Sequence, residues 1–422
     1  MSYQVPVRKR TLGAEDRIGG VVSKPHRLAP KALKTNAKNY SHSNAVLQAL
    51  ATAVDATWLQ LKLGSYFVGP SLEVDETLTA TEIEESIKSA LWSDDDATQV
   101  SVNPVAELLR VLVNLQTASS AQSPMVNAYA LQFMMSGLST DPSPDPVSWL
   151  ELVLESLSIG HPGSLLPEES DPEQHPLIKG LLEIQEVIEM VCRGPKCGKG
   201  PNSPKLYEQQ TSWGYAVEHP LDHNGRMDNP ECPITEMIKK RVFNSAKMEH
   251  YCKRCKGHVA ADGAGLGFDV LPQILIIELM QKDQDDFTGK KAVEEEDDDD
   301  EDPVRPPGRR MPCKFPASTA KLTALEDTLD LTACDLTRGP STSPMYQLQS
   351  VIKRVDLGDG DIVYSTFTRA SDNIWWECED EVVSEATSEE ARSLVHEKRP
   401  CLLFYEKVQQ AGPPVKKQRL HQ

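Results

Sequence analysis

Four cysteines are spaced to hold a metal ion. Cys252-Lys-Arg-Cys255 keeps two residues between its thiols, and Cys192-Arg-Gly-Pro-Lys-Cys197 keeps four. Tetrahedral Zn²⁺ takes four thiolates, and short Cys-loop-Cys turns aim backbone N–H groups at the sulfurs. Two such pairs, about 55 residues apart, predict a zinc ribbon in which two hairpin tips clamp one ion. Four protein ligands leave no position for a reacting water, so the site is expected to be structural. Cys232, His250 and His258 are alternative ligands. Cys313, Cys334, Cys378 and Cys401 show no pairing pattern and are expected as buried thiols.

Elements of two kinds must position these residues. In the first half, apolar residues recur at helical spacing. One helix is expected to open at Ser43-Asn44 and run through Ala45–Leu50; others are expected at Thr81–Trp92, Val105–Leu115 and Val147–Leu157. Pro142, Pro144 and Pro146 mark the entry to the last. After Pro167 the pattern changes. Leu181–Val191 fits either helix or strand, whereas the run Val270–Ile277 reads as a strand buried on both faces. Tyr346–Arg354, Asp361–Arg369, Ile374–Cys378 and Cys401–Lys407 follow as strands of an antiparallel meander, with a turn at Gly358-Asp359-Gly360-Asp361. The fold class is α+β. Trp149, Trp375 and Trp376 are expected to pack in its cores.

Charge and composition exclude several classes. The chain has 422 residues, with 44 Lys+Arg against 63 Asp+Glu, a net charge of −19. No general basic field exists to coat nucleic acid, so direct nucleic-acid binding is not expected. No apolar stretch approaches the ~20 residues of a membrane helix, and no secretory signal is visible, so an intracellular, reducing compartment is expected. With 30 prolines against 24 glycines and 6% aromatic residues, part of the length is expected to lie outside a core. Residues 1–32, carrying Arg8, Lys9 and Arg10, read as a basic disordered arm. An acidic insertion is placed at about 282–312 around the unbroken run Glu294–Asp302, a solvated loop by default. A basic tail spans 409–422, where Lys416, Lys417 and Arg419 beside Pro413-Pro414 suggest nuclear import, with a nuclear or cytoplasmic location.

Several segments, in order, resemble the ubiquitin-specific protease family. Asn36-Ala-Lys-Asn-Tyr-Ser41-His-Ser-Asn44-Ala-Val-Leu-Gln48-Ala-Leu50 is similar to that family's cysteine box. Asp145-Pro-Val-Ser-Trp-Leu150 and Leu271-Pro-Gln-Ile-Leu-Ile-Ile-Glu-Leu279 resemble two further signatures. Tyr346–Val351, Tyr364–Arg369, Trp375-Trp376 and Leu402–Tyr405 look like the histidine-box region. The resemblance implies a papain-type fold over 33–408: a helical thumb at about 33–165, zinc-ribbon fingers at about 186–260, and an antiparallel β palm for the remainder. It also implies ubiquitin or ubiquitinated proteins as partners.

Carried across residue by residue, the family's catalytic machinery is replaced. The nucleophile position is Ser41, the base position is Val363, the orienting position is Glu379 (followed by Asp380), and Asn36 matches the residue of the oxyanion hole. Valine accepts no proton, and a serine hydroxyl needs an adjacent base. A glycine beside the channel for ubiquitin's tail is replaced by Ile362, and another in the cysteine box by Lys38. The expectation is an inactive homologue acting as an intracellular scaffold, able to bind ubiquitin. The alternative is an active deubiquitinase that cuts ubiquitin's C-terminal (iso)peptide bonds through a non-standard site.

Overall fold

The computed structural model describes residues 30–34, 40–54, 79, 81–85, 104–116, 125–138, 145–159, 181–194, 196–197, 205–218, 233–243, 245–280, 325–336, 344–358, 361–370, 373–394 and 398–408. The basic arm up to residue 29, Asn36, Lys38, Cys232, Cys313, the acidic insertion and the basic tail lie outside the described residues.

Among the described residues, four helices of ten or more residues build the thumb: α1 (Ser41–Ala53), α2 (Pro104–Gln116), α3 (Tyr129–Leu138) and α4 (Pro146–Ile159). Asp145 starts α4 as its sequence dictates. Its carboxylate accepts the N–H groups of Val147 at 2.7 Å and Ser148 at 3.1 Å, while Pro146 fills the first turn, where no N–H is needed. The expected start of α1 at Ser43-Asn44 is corrected: α1 begins at Ser41, and no side chain caps it. Every residue of α1 is buried, so its polar residues must find partners inside the protein. Ser43 donates to Tyr40 O, Gln48 to Lys31 O and Thr52 to Gln48 O.

The first strand, β1 (Ile184–Cys192), resolves the ambiguous segment by its strict in–out alternation. With β2 (Lys205–Ser212), β4 (Ser245–Cys252) and β5 (Gly257–Val270) it forms the fingers, an antiparallel sheet of order β2-β1-β5-β4. Between β3 (Tyr215–Glu218) and β4 lies α5 (Ile234–Val242), an element that the sequence reading does not contain. Glu326 accepts the Thr235 N–H and hydroxyl, each at 2.8 Å, and so tethers the start of α5. At the other end, a Cβ on Gly265 of β5 would fall 1.6 Å from Val242 O, so only glycine permits this helix–strand approach.

The palm sheet runs β11 (Val382–Ala386), β10 (Trp375–Glu379), β9 (Asp361–Arg369), β8 (Met345–Gly358), β12 (Lys398–Lys407), β6 (Ile274–Met280), β3, with β7 (Thr328–Asp330) also on β8. The buried run holds, with one correction: it breaks at Pro272, and β6 starts at Ile274. The palm is antiparallel from β11 to β6, as expected, and β3 adds to β6 in parallel at its edge. Ile274, Ile276, Leu402 and Phe404 face the thumb helices, while Leu275, Ile277, Leu403 and Tyr405 face a second core with α5. Burial on both faces is why β6 and β12 read as unbroken apolar runs. Trp149 and Trp375 are core residues, Trp376 is half-buried, and Cys334 and Cys378 are buried thiols.

One buried cation ties β8 to α6 (Ser388–Arg392). Lys353, 2% exposed, donates to Glu390 O at 2.6 Å and Ser393 O at 2.9 Å and sits 4.7 Å from the Phe367 ring centre. Burial pulls its ammonium down from 10.5 to about 8. Between these values the unfolded chain binds the extra proton, so stability should rise with pH through this window. Buried Tyr346 and Tyr405, with hydroxyls pushed above 10, act in the opposite sense at higher pH. The comparison with Lys353→Met isolates the lysine: urea unfolding should show the native chain gaining about 3 kcal/mol on the variant from pH 8 to 10.5. Parallel pH profiles would refute this.

Candidate functional site

The tips of the β1–β2 and β4–β5 hairpins bring the four spaced cysteines together. The ligand atoms of Cys192, Cys197, Cys252 and Cys255 all lie within 4.8 Å of one another. The separations are 3.9 Å for Cys192–Cys255, 3.5 Å for Cys197–Cys252 and 3.6 Å for Cys197–Cys255. Tetrahedral Zn–S bonds of about 2.3 Å require sulfurs about 3.8 Å apart, so the four fit the ion. Gly194 N–H points at Cys192 Sγ (3.3 Å) and Cys255 N–H at Cys252 Sγ (3.4 Å). The N–H groups around Cys252 pull its thiol down to about 6, whereas burial pushes the Cys192 and Cys197 thiols up. After Cys255, Lys256 turns the chain at φ 60°. A Cβ on Gly194 would come within 2.5 Å of Cys255 Sγ, so the glycine between the first two ligands is fixed by the sulfur opposite. His258 lies on β5, paired across the hairpin with Tyr251, and is not among the clustered ligands.

The second constellation lies where the thumb meets the palm. α1 packs on β8 and β9, with the Thr366 hydroxyl donating to Ala45 O at 2.9 Å. Ser41 opens the helix and is 8% exposed. Val363, half-buried, precedes Tyr364 on β9 and pairs with Val355. Glu379 ends β10 with an exposed side chain; the next residue, Asp380, is the one that turns inward. With φ 49°, Asp380 accepts the Leu33 N–H at its carbonyl (3.0 Å) and Asn44 Nδ2 at its carboxylate (2.7 Å). Burial raises its carboxyl above 3.8, and Asn44 opposes the rise. Asn44 Oδ1 in turn accepts Gln132 Nε2 at 2.6 Å. These residues join α1, α3 and the β10–β11 turn into one buried network. The sequence marked Asp380 only as the neighbour of Glu379, and Asn44 only as a helix start within the cysteine-box segment.

Among the described residues, α1 and β8–β10 carry one histidine, His42. It is 4% exposed, and its ring centre is 6.4 Å from that of Tyr40. As the immediate helical neighbour of Ser41, it points away from it. Ile362, at the start of β9, is 38% exposed.

A family profile described as ubiquitin carboxyl-terminal hydrolase matches residues 34–405. The chain belongs to this family. Its fold also resembles a solved structure, the SAGA Ubp8/Sgf11/Sus1/Sgf73 DUB module bound to ubiquitin aldehyde. The TM-score is 0.53 at 13% identity, over 92% of this chain and 71% of that one. No curated protein matches by sequence. Family membership and fold agree with the resemblance drawn from the sequence, and the cysteine cluster supplies the zinc ribbon of the fingers.

Proposed function

We propose that this ubiquitin carboxyl-terminal hydrolase homologue is catalytically inactive and acts as an intracellular protein-interaction scaffold. The observation that carries this reading is the pair Ser41 and Val363 at the nucleophile and base positions, with His42 buried beside Ser41 on the same helix. Without a base a serine hydroxyl stays a weak nucleophile, and losing either member of such a unit removes most of the rate. Asp380, which could orient a base, is instead held by Asn44.

Ubiquitin is the partner that the related ubiquitin-bound module suggests. Ile362 is β-branched and exposed, at the position where the family resemblance places a glycine beside the channel for ubiquitin's Gly-Gly tail, so recognition is assigned to the globular part of ubiquitin. The tail cluster Lys416, Lys417 and Arg419 supports a nuclear location.

A fluorogenic ubiquitin substrate should be cleaved no faster by this protein than by buffer. In calorimetry, ubiquitin lacking its last two glycines should bind within a few-fold of intact ubiquitin. Turnover that disappears in Ser41→Ala would replace this reading with the active alternative. Binding that requires the Gly-Gly tail would overturn the assignment of the grip.

A further inference from the structure

The zinc-ribbon tip carries a local charge opposite to that of the whole chain. Lys196 on the first knuckle and Lys253, Arg254 and Lys256 on the second are all exposed. The sulfur cluster draws the two knuckles together, so the four cations share one tip. None of the four makes an ion pair with a described residue. Arg193 does, donating from Nε to Asp262 at 2.6 Å, and is left out of the count. Directly beneath the second knuckle, Tyr251 and His258 face each other across the β4–β5 hairpin. Their ring centres are 5.6 Å apart at an interplanar angle of 70°, and Tyr251 is 55% exposed.

We infer that this tip binds single-stranded nucleic acid, with Lys196, Lys253, Arg254 and Lys256 on phosphates and the Tyr251 ring as a stacking platform. The net charge of −19 excludes a general basic field, but ionic screening over about 8 Å at physiological strength lets local charge govern contact at the tip. An exposed ring among unpaired cations is the combination that sequence-tolerant single-strand binders use. An acidic peptide would satisfy the cations and gain nothing from the ring. A duplex keeps its bases stacked inside the helix, which leaves the Tyr251 ring no open base face to meet. Neither phosphate pairing nor stacking reads the sugar, so RNA and DNA share this chemistry.

The full chain would be titrated with fluorescein-labelled 12-mers of oligothymidine and oligouridine, and with a labelled 12-residue polyglutamate peptide, from 25 to 200 mM salt. Saturable binding of either oligomer is expected, weakening with salt at a log–log slope of about −2 to −3 for three to four phosphates. A preference between the two assigns the source. Lys253→Glu/Arg254→Glu should weaken binding more than tenfold, and Tyr251→Ala about fivefold or more. Zinc content should stay unchanged in both. Lys196→Glu, on the other knuckle, serves as an independent variant should the double substitution disturb the site. Absence of saturable oligomer binding would overturn the inference. So would polyglutamate binding as tightly as the oligomers, or affinity indifferent to Tyr251→Ala.

Discussion

Cys255→Ser should abolish stoichiometric zinc binding and unravel the outer half of the fingers while the palm stays folded. Among the described residues, the apolar cluster confined to that sheet is Ile188, Met190 and Ala261, a small core for four strands. The ion does what packing cannot. It joins the end of β1 to the β4–β5 turn, with Cys192 and Cys252 almost wholly buried. Metal binding in small zinc domains is worth about 10 kcal/mol or more and is inseparable from their folding, so the local loss should be several kcal/mol. Elemental analysis should fall from one zinc per chain to none. Hydrogen exchange should accelerate across Val187–Cys192 and Ser245–Ala261 and stay slow in β6, β8 and β12. Zinc retained at full occupancy, or protection unchanged in β1 and β4, would count against the clamp.

The second large effect is expected at Asn44. Its amide donates to Asp380 at 2.7 Å, accepts from Gln132 at 2.6 Å and is 2% exposed. Asn44→Leu keeps the branched side-chain shape but strands a carboxylate whose burial already raises its pKa. The cost should be about 2 kcal/mol at neutral pH, the scale for losing a hydrogen bond to a half-buried charged group. The sign with pH follows from Asp380. Without Asn44 its folded pKa climbs further above the unfolded value, so the deficit is fully developed above that folded pKa. The deficit shrinks as acid protonates the group. Asp380→Asn in the Asn44→Leu background should recover part of the loss, because a neutral amide is cheaper to bury. Denaturant unfolding of the four members of this cycle measures the coupling. A coupling near zero would mean that the pair bears no load between thumb and palm.

How much was legible in the sequence depended on whether a signal was local. The apolar runs of β6 and β12 and the β8–β9 strand pair are short-range patterns, and each forms what its residues favour. The cysteine pairs were legible because a metal imposes spacing. Asn44 and Asp380 lie 336 positions apart, and nothing near either residue announces the other. Asp380 was also hidden by conformation: its left-handed backbone turns it inward where Glu379 points out, and such a twist leaves no mark on composition. α1 misled at its start because burial on all sides replaced capping as the reason for its polar residues. α5 escaped because its mate is a glycine in a strand: Gly265 is informative only once Val242 is seen against it.

The position of β12 sets the timetable of synthesis. It lies between β8 and β6 in the palm, supplies Leu402 and Phe404 to one core and Leu403 and Tyr405 to the other, and is the last strand of the described chain to be made. Synthesis must therefore reach β12 before either core can close, and until then β6 and β8 present open edges and bare apolar faces to solvent. A premature stop before Lys398 yields an aggregation-prone product, not a shortened thumb or palm.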